Sequence, residues 1–282
     1  MLAALLKSLE VNYKGKKRID LHIIDDGLKE GTIEKIARSV DKQVFDITWL
    51  KLEDAIRDRS ELPLDNSTFP LNVYVRLFIP HFLPSSTGRV LYLDVDMIAE
   101  ADISMLWNVD MEDKVVAGVV DRSGTVSSTW GGITNYQELG LDPDTKYFNS
   151  GLLLIDTRKW REQDITRRVL KCIQENSRYA GFPDQYGLNV VLAGQWLELD
   201  SKWNCYAMST EESPYIIHFI GIKPIYTSYE YSSNYKERFF HYLRLTEWSN
   251  FRPVSNNFRL LKKLYNKVVK RWRRIVNGRQ KS

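Results

Sequence analysis

The feature that most constrains this chain is an apolar run closing on two carboxylates, Arg89-Val90-Leu91-Tyr92-Leu93-Asp94-Val95-Asp96. Val90 to Leu93 have the bulky, β-branched character of a strand buried on both faces. Such a strand has no reason to end in two acidic side chains unless something cationic meets them. Asp94 and Asp96 are two apart, so on extended backbone they point to the same side. Like charges held that close raise one pKa, and a bound divalent cation removes the penalty. Hard oxygen ligands suit Mg²⁺ or Mn²⁺, which usually complete their shells with phosphate oxygens. The bland alternative is two solvated aspartates in a turn.

Around this segment strands and helices alternate. Residues 19–24 and 44–50 read as strands, 2–10 and 30–40 as helices, and 72–82 as a helix from its apolar spacing. A short helix at 103–107 and apolar strands at 115–120 and 148–155 follow. Asp156-Thr157 offers capping residues for the next helix. The alternation implies an α/β sheet with helices on both faces. Sheets of this kind place ligands at the carboxyl ends of their strands, where Asp94 and Asp96 fall. Residues 122–147, with Trp130-Gly131-Gly132 and Asp142-Pro143, are too polar and turn-rich for a core element and read as a binding loop or lid.

The net charge of +4 conceals an asymmetry. Ten Lys and Arg fall between Phe258 and Ser282 with no acidic residue, leaving 30 basic against 36 acidic residues elsewhere. The division expected is a mildly acidic body over residues 1–250 and a basic tail over 251–282. In the tail Phe258, Leu261, Tyr265, Val268, Trp272 and Ile275 recur at spacings of three and four among lysines and arginines. A cationic amphipathic helix of this kind suits an anionic membrane surface. A nucleic acid and a helix packed on protein are the competing readings, and the acidic body, without a recognition motif, argues against nucleic acid. Two cysteines, Cys172 and Cys205, without metal-type spacing fit a reducing compartment. Residues 1–6 are too short for a signal core. The location expected is cytoplasmic.

Four segments in order carry a resemblance: Tyr92 to Asp96, Phe148-Asn149-Ser150-Gly151-Leu152-Leu153-Leu154-Ile155-Asp156, Pro183-Asp184-Gln185-Tyr186-Gly187-Leu188-Asn189, and Ile217-His218-Phe219-Ile220-Gly221-Ile222-Lys223-Pro224. From about Ile19 to Pro224 the chain resembles glycosyltransferase family 8, which includes bacterial lipopolysaccharide galactosyl- and glucosyltransferases. The resemblance implies a GT-A fold: an α/β domain with a mixed, mostly parallel sheet flanked by helices. It also implies Mn²⁺ (or Mg²⁺), UDP-glucose or UDP-galactose as donor, retention of anomeric configuration, and a glycan or glycolipid acceptor. Asp94 and Asp96 match the family's metal-binding Asp-x-Asp, with Val95 between them, and His218 matches its third protein ligand. An imidazole nitrogen is more acceptable to Mn²⁺ than to Mg²⁺.

The resemblance places Arg76, Asn149, Gly221 and Lys223 at the donor, and Gln185, Asp184 and Asp121 at the reaction centre. The spacing His-x₄-Lys is one residue shorter than the commoner family form, and Ile225 stands where Trp is usual. In the family a strand whose end contacts uracil and ribose precedes the helix that here begins at Met1. The expectation is that this chain starts after that strand. Basic tails in the lipopolysaccharide branch favour a peripheral position on the inner face of the cytoplasmic membrane. A catalytically dead sugar-nucleotide or glycan-binding module is the alternative.

Overall fold

The computed structural model describes residues 1–56, 62, 71–257, 260 and 261. In chain order the elements are α1 (Leu2–Asn12), β1 (Ile19–Asp25), α2 (Glu30–Arg38), β2 (Phe45–Lys51), α3 (Leu52–Ala55), a 3₁₀ turn Leu71–Tyr74, α4 (Val75–Phe82), β3 (Arg89–Leu93), β4 (Met97–Ala99) and α5 (Ile103–Trp107). They continue with β5 (Val116–Thr125), β6 (Lys146–Asp156), α6 (Thr157–Glu162), α7 (Ile165–Glu175), α8 (Pro183–Val191), β7 (Leu197–Glu198), a 3₁₀ turn Ser201–Asn204, β8 (Cys205–Tyr206), β9 (Ile216–His218) and α9 (Ser233–Arg244).

The sheet that positions the site has the order β3-β6-β5-β7. Along β6 the period of two sends Leu153 and Ile155 into one core and Leu152 and Leu154 into another. All four are fully buried, and each contributes roughly 1.5–3 kcal/mol of transfer free energy. The first core is closed by α4, α6, α7 and α8 through Leu77, Trp160, Val169 and Leu188. The second is closed by α1, α5 and the turn before β8, through Leu6, Leu9, Leu106 and Trp203. Helices therefore lie on both faces, as the alternation implies.

Strand direction departs from a mostly parallel sheet. Among the described strands three pairings are parallel (β1–β2, β5–β7, β8–β9) and three antiparallel (β3–β6, β4–β9, β5–β6). Two of the antiparallel pairings come from β6, which runs back against both of its neighbours. The helix expected over 72–82 splits at Tyr74 into a 3₁₀ turn and α4. Asp156 caps α6 as expected, its carboxylate accepting from the Lys159 N–H at 2.9 Å.

The segment between β5 and β6 is better packed than its composition suggests. Val126 and Ile133 are fully buried, Asn135 is buried, and the Asn135 amide bonds the side chains of Tyr186 and Asn176. It is a folded cover over α7 and α8 rather than a free lid. No described helix is long and apolar enough to cross a membrane. Both cysteines are buried and unpaired. Of the tail, Phe258, Arg259 and residues 262–282 lie outside the described residues, so its amphipathic reading rests on sequence.

Candidate active site

The strand pairing carries one step past β3: the Asp94 N–H donates to the Gly151 carbonyl at 2.8 Å. Asp94 and Asp96 then flank a turn whose middle residue, Val95, points to solvent at 54% exposure. The Asp96 carbonyl accepts from the Phe219 N–H at 2.8 Å, which ties this turn to the end of β9. There His218 is buried, with Nε2 3.3 Å from Asp96 Oδ1 and 3.9 Å from Asp94 Oδ2. Asp94, Asp96 and His218 each offer a ligand atom within 4.8 Å of the others. A Cβ at Gly151 would lie 2.6 Å from His218 Cε1 and 2.8 Å from Asp94 Oδ2, so only glycine leaves this cradle open.

Hydrogen bonds behind the cluster set the imidazole tautomer. The Gly151 N–H can only donate, so the atom it meets at 3.0 Å is the Asn149 carbonyl oxygen. That oxygen also faces Asn204 at 3.0 Å, which must present its Nδ2 donor. Asn204 Oδ1 then faces His218 Nδ1 at 2.9 Å, so Nδ1 carries a proton and Nε2 is the nitrogen turned to the carboxylates. This is how a histidine is prepared for metal ligation. Two carboxylates and one imidazole fit Mn²⁺ better than an all-oxygen ion.

On the other side of Asn149 lies a second cluster. Asn149 Nδ2 donates to Asp121 Oδ2 at 3.0 Å and Gln185 Oε1 at 3.2 Å. The Ser150 N–H donates to Gln185 Oε1 at 3.1 Å, which turns the Gln185 Nε2 toward Asp121 Oδ2 at 3.3 Å. Tyr206 donates to the same oxygen at 3.2 Å, and Ser123 donates through N and Oγ to Asp121 Oδ1. Burial and the Asp121 charge push the Tyr206 hydroxyl well above its ordinary pKa, so it stays a donor. Gln185 and Asp184 sit in the first turn of α8, held close to α7 by Gly187, where a Cβ would be 2.8 Å from Val169 and Ile173.

Arg76 joins the two clusters. Its Nη1 donates to Ser150 O and Oγ, its Nη2 to Asp94 Oδ1 at 3.1 Å, and its Nε lies 3.1 Å from Asp184 Oδ2 without hydrogen-bond alignment. Its guanidinium stacks 4.7 Å from the Tyr92 ring centroid. Burial disfavours its charge, but Asp94, Tyr92 and Asp184 outweigh that and raise its pKa. The side chain expected at the donor is thus engaged by protein, as a buried strut between Asp94 and Asp184. Burial works against charge at Asp96 too, yet His218 and Lys223 hold its pKa below the ordinary value. Lys223 donates to Asp96 Oδ2 and to the Phe219 carbonyl, so here it lies on a carboxylate. Gly221, at φ +73°, makes the turn between His218 and Lys223.

Every residue expected at the site therefore lies on one continuous network or in the turn beside it, except the Val95 side chain. Five side chains of the network were not singled out from the sequence: Tyr92, Ser123, Ser150, Asn204 and Tyr206. Tyr92 had a signal, since it sits two residues before Asp94 on the same strand face and donates to it at 2.6 Å. Ser150 lies inside a quoted motif. Asn204 and Tyr206 come from a turn and a two-residue strand without pattern.

A strand-end carboxylate pair beside a histidine, on a mixed α/β sheet flanked by helices, is the arrangement expected of the GT-A glycosyltransferase class. Residues 1–224 match the model of glycosyl transferase family 8, and the chain belongs to that family. It is 29% identical over 277 residues to General stress protein A of Bacillus subtilis, covering 90% of this chain and 93% of that one. It is 28% identical over 234 residues to the lipopolysaccharide 1,2-glucosyltransferase of Escherichia coli K12, covering 76% and 67%. The fold matches the galactosyltransferase LgtC, solved with donor and acceptor sugar analogs. That match has TM-score 0.69 at 22% identity and covers 92% of this chain and 94% of that one.

Proposed function

We infer that this glycosyltransferase moves glucose or galactose from a UDP-sugar to a glycan or lipid-linked acceptor, with retention and with Mn²⁺ (or Mg²⁺) held by Asp94, Asp96 and His218. The observation that carries this is the His218 tautomer, fixed from Gly151 through Asn149 and Asn204 so that Nε2 faces both carboxylates. A divalent ion bound there supplies Lewis acidity and a template for the diphosphate leaving group. Lys223, released from Asp96, is within reach of the same charge and would stabilise it. Asn149 and Asp121 present an amide and a carboxylate suited to sugar hydroxyls. Gln185 Oε1 already accepts from the Ser150 N–H and from Asn149, which leaves little electron density for attack. Electrostatic support of a front-face substitution fits that residue better than a covalent intermediate.

The hexose assignment is favoured by relatives named as a glucosyltransferase and a galactosyltransferase. The basic segment after Phe258 would hold the enzyme at the inner face of an anionic membrane. The test is turnover of UDP-glucose and UDP-galactose with Mn²⁺ by the full chain and by Asp94→Ala and Asp96→Ala. Loss of at least about a hundredfold in both variants is expected, from removal of a charge-stabilising ligand. Undiminished turnover sinks the metal assignment. UDP binding by the unaltered protein without any turnover moves the reading to a sugar-nucleotide-binding module.

A further inference from the structure

Beside the Asp121 cluster, β5 presents a side chain that the transfer reading leaves unused. Arg122 is exposed, and its guanidinium lies 4.6 Å from the centroid of the Trp130 ring. Among the described residues it makes no ion pair. Trp130 is itself 58% exposed, although burying an indole is ordinarily favourable. Its position is nevertheless fixed. Gly131 takes φ +76°, which admits glycine readily, and a Cβ on Gly132 would fall 2.5–2.9 Å from backbone atoms of Val126 and Ser128. Ser128 Oγ donates to the Trp130 carbonyl at 3.0 Å.

The turn also abuts the reaction centre. A Cβ on Gly131 would touch Ser123 Cβ at 3.8 Å, and Ser123 is the residue that donates twice to Asp121 Oδ1. A preset aromatic face and an unpaired guanidinium thus stand one side chain away from Asp121. An indole face suits the C–H face of a pyranose, and a guanidinium suits the paired oxygens of a phosphate or carboxylate. Because the turn is already ordered, little entropy is lost when a ligand docks.

We propose that Trp130 and Arg122 form the acceptor subsite and that it takes a pyranose bearing an anionic substituent, a phosphate or a carboxylate. This deepens the transfer reading and rests on it. The test uses the full chain with UDP and Mn²⁺ and three probes followed by saturation-transfer NMR: methyl glucoside, methyl glucuronide and methyl glucoside 6-phosphate. The unaltered protein is expected to bind at least one anionic probe about tenfold more tightly than the neutral one, a preference that shrinks as salt rises. The two anionic arms distinguish carboxylate from phosphate.

Arg122→Met should bring the three probes level, Arg122→Lys should keep part of the preference, and Trp130→Ala should weaken all three. Thermal unfolding followed by circular dichroism checks that the variants remain folded. Equal binding of the three probes to the unaltered protein, no binding of any, or a preference surviving Arg122→Met would overturn the proposal. Turnover of UDP-sugar by the unaltered protein is read separately. Its absence removes the transfer reading, while the probe titrations still report on the subsite.

Discussion

Replacing Asn204 by Leu tests the preparation of His218 without touching a metal ligand. Asn204 is 3% exposed and makes two side-chain bonds, to His218 Nδ1 at 2.9 Å and Asn149 Oδ1 at 3.0 Å. Leucine has a similar volume, so packing changes little. It leaves the imidazole N–H without its acceptor and the Asn149 oxygen with the Gly151 N–H alone. Losing two buried hydrogen bonds and leaving one donor unsatisfied costs roughly 2–4 kcal/mol of stability, read from urea unfolding.

The imidazole is then free to rotate or to carry its proton on Nε2, where it no longer ligates. Loss of the partner that orients a metal-binding histidine typically lowers affinity by about 10–100-fold. Manganese titration by calorimetry or electron paramagnetic resonance, well below the unfolding temperature, is the assay. The companion variant Asn204→Asp keeps an acceptor for Nδ1–H and loses only the donor to Asn149. Its affinity should therefore exceed that of Asn204→Leu. Wild-type Mn²⁺ affinity in folded Asn204→Leu would refute the tautomer chain.

Three further outcomes are expected. Arg76→Leu removes the buried strut and leaves Asp94 and Asp184 uncompensated, which should cost about 3–5 kcal/mol in chemical denaturation. Lys223→Met removes an ammonium that lies on Asp96 and competes with any metal there. Allowing for partial exposure, Mn²⁺ should bind on the order of tenfold more tightly without nucleotide, and calorimetry showing equal or weaker binding contradicts this. Asp25, at the end of β1, accepts from Lys51 Nζ and from the Leu28 N–H at 2.6 Å each, which depresses its pKa. A depressed folded pKa means stability present above the ordinary carboxylate value and lost as pH falls through the folded one. Asp25→Asn should therefore lower stability at pH 7 and flatten the acid limb of unfolding midpoint against pH.

The Asp94 and Asp96 pair was legible because it breaks a pattern of sequence: an apolar strand does not end in two carboxylates without cause. His218 was legible only by resemblance, since nothing in residues 215–220 sets a histidine apart from a satisfied core residue. Arg76 was placed correctly along the chain, but its partners were not foreseeable. Ser150 and Asp184 come from β6 and α8, far away in sequence, and a guanidinium is equally at home on a phosphate or between two carboxylates. The packing of the 122–147 segment was not legible from polarity, because Val126 and Ile133 are too few to make a pattern yet are fully buried.

What sequence periodicity cannot reveal is an interruption of pairing, and here an interruption makes the site. Between β5 and β6 the register runs Gly118 against Leu153 and then Val119 against Asn149, so one step on β5 spans four on β6. Residues 150–152 are left without β5 partners, although β3 still pairs with Leu152 and the Asp94 N–H still reaches the Gly151 carbonyl. A regular ladder would have consumed the N–H groups of Ser150 and Gly151. The Ser150 N–H, left free by the irregularity toward β5, orients Gln185, while the Gly151 N–H, where pairing with β3 ends, orients Asn149 and through Asn204 His218. Bulges of this kind re-aim side chains next to active sites. Two neighbouring backbone donors on β6 thereby set both His218 and Gln185, which makes their relative placement a property of the sheet rather than of any loop.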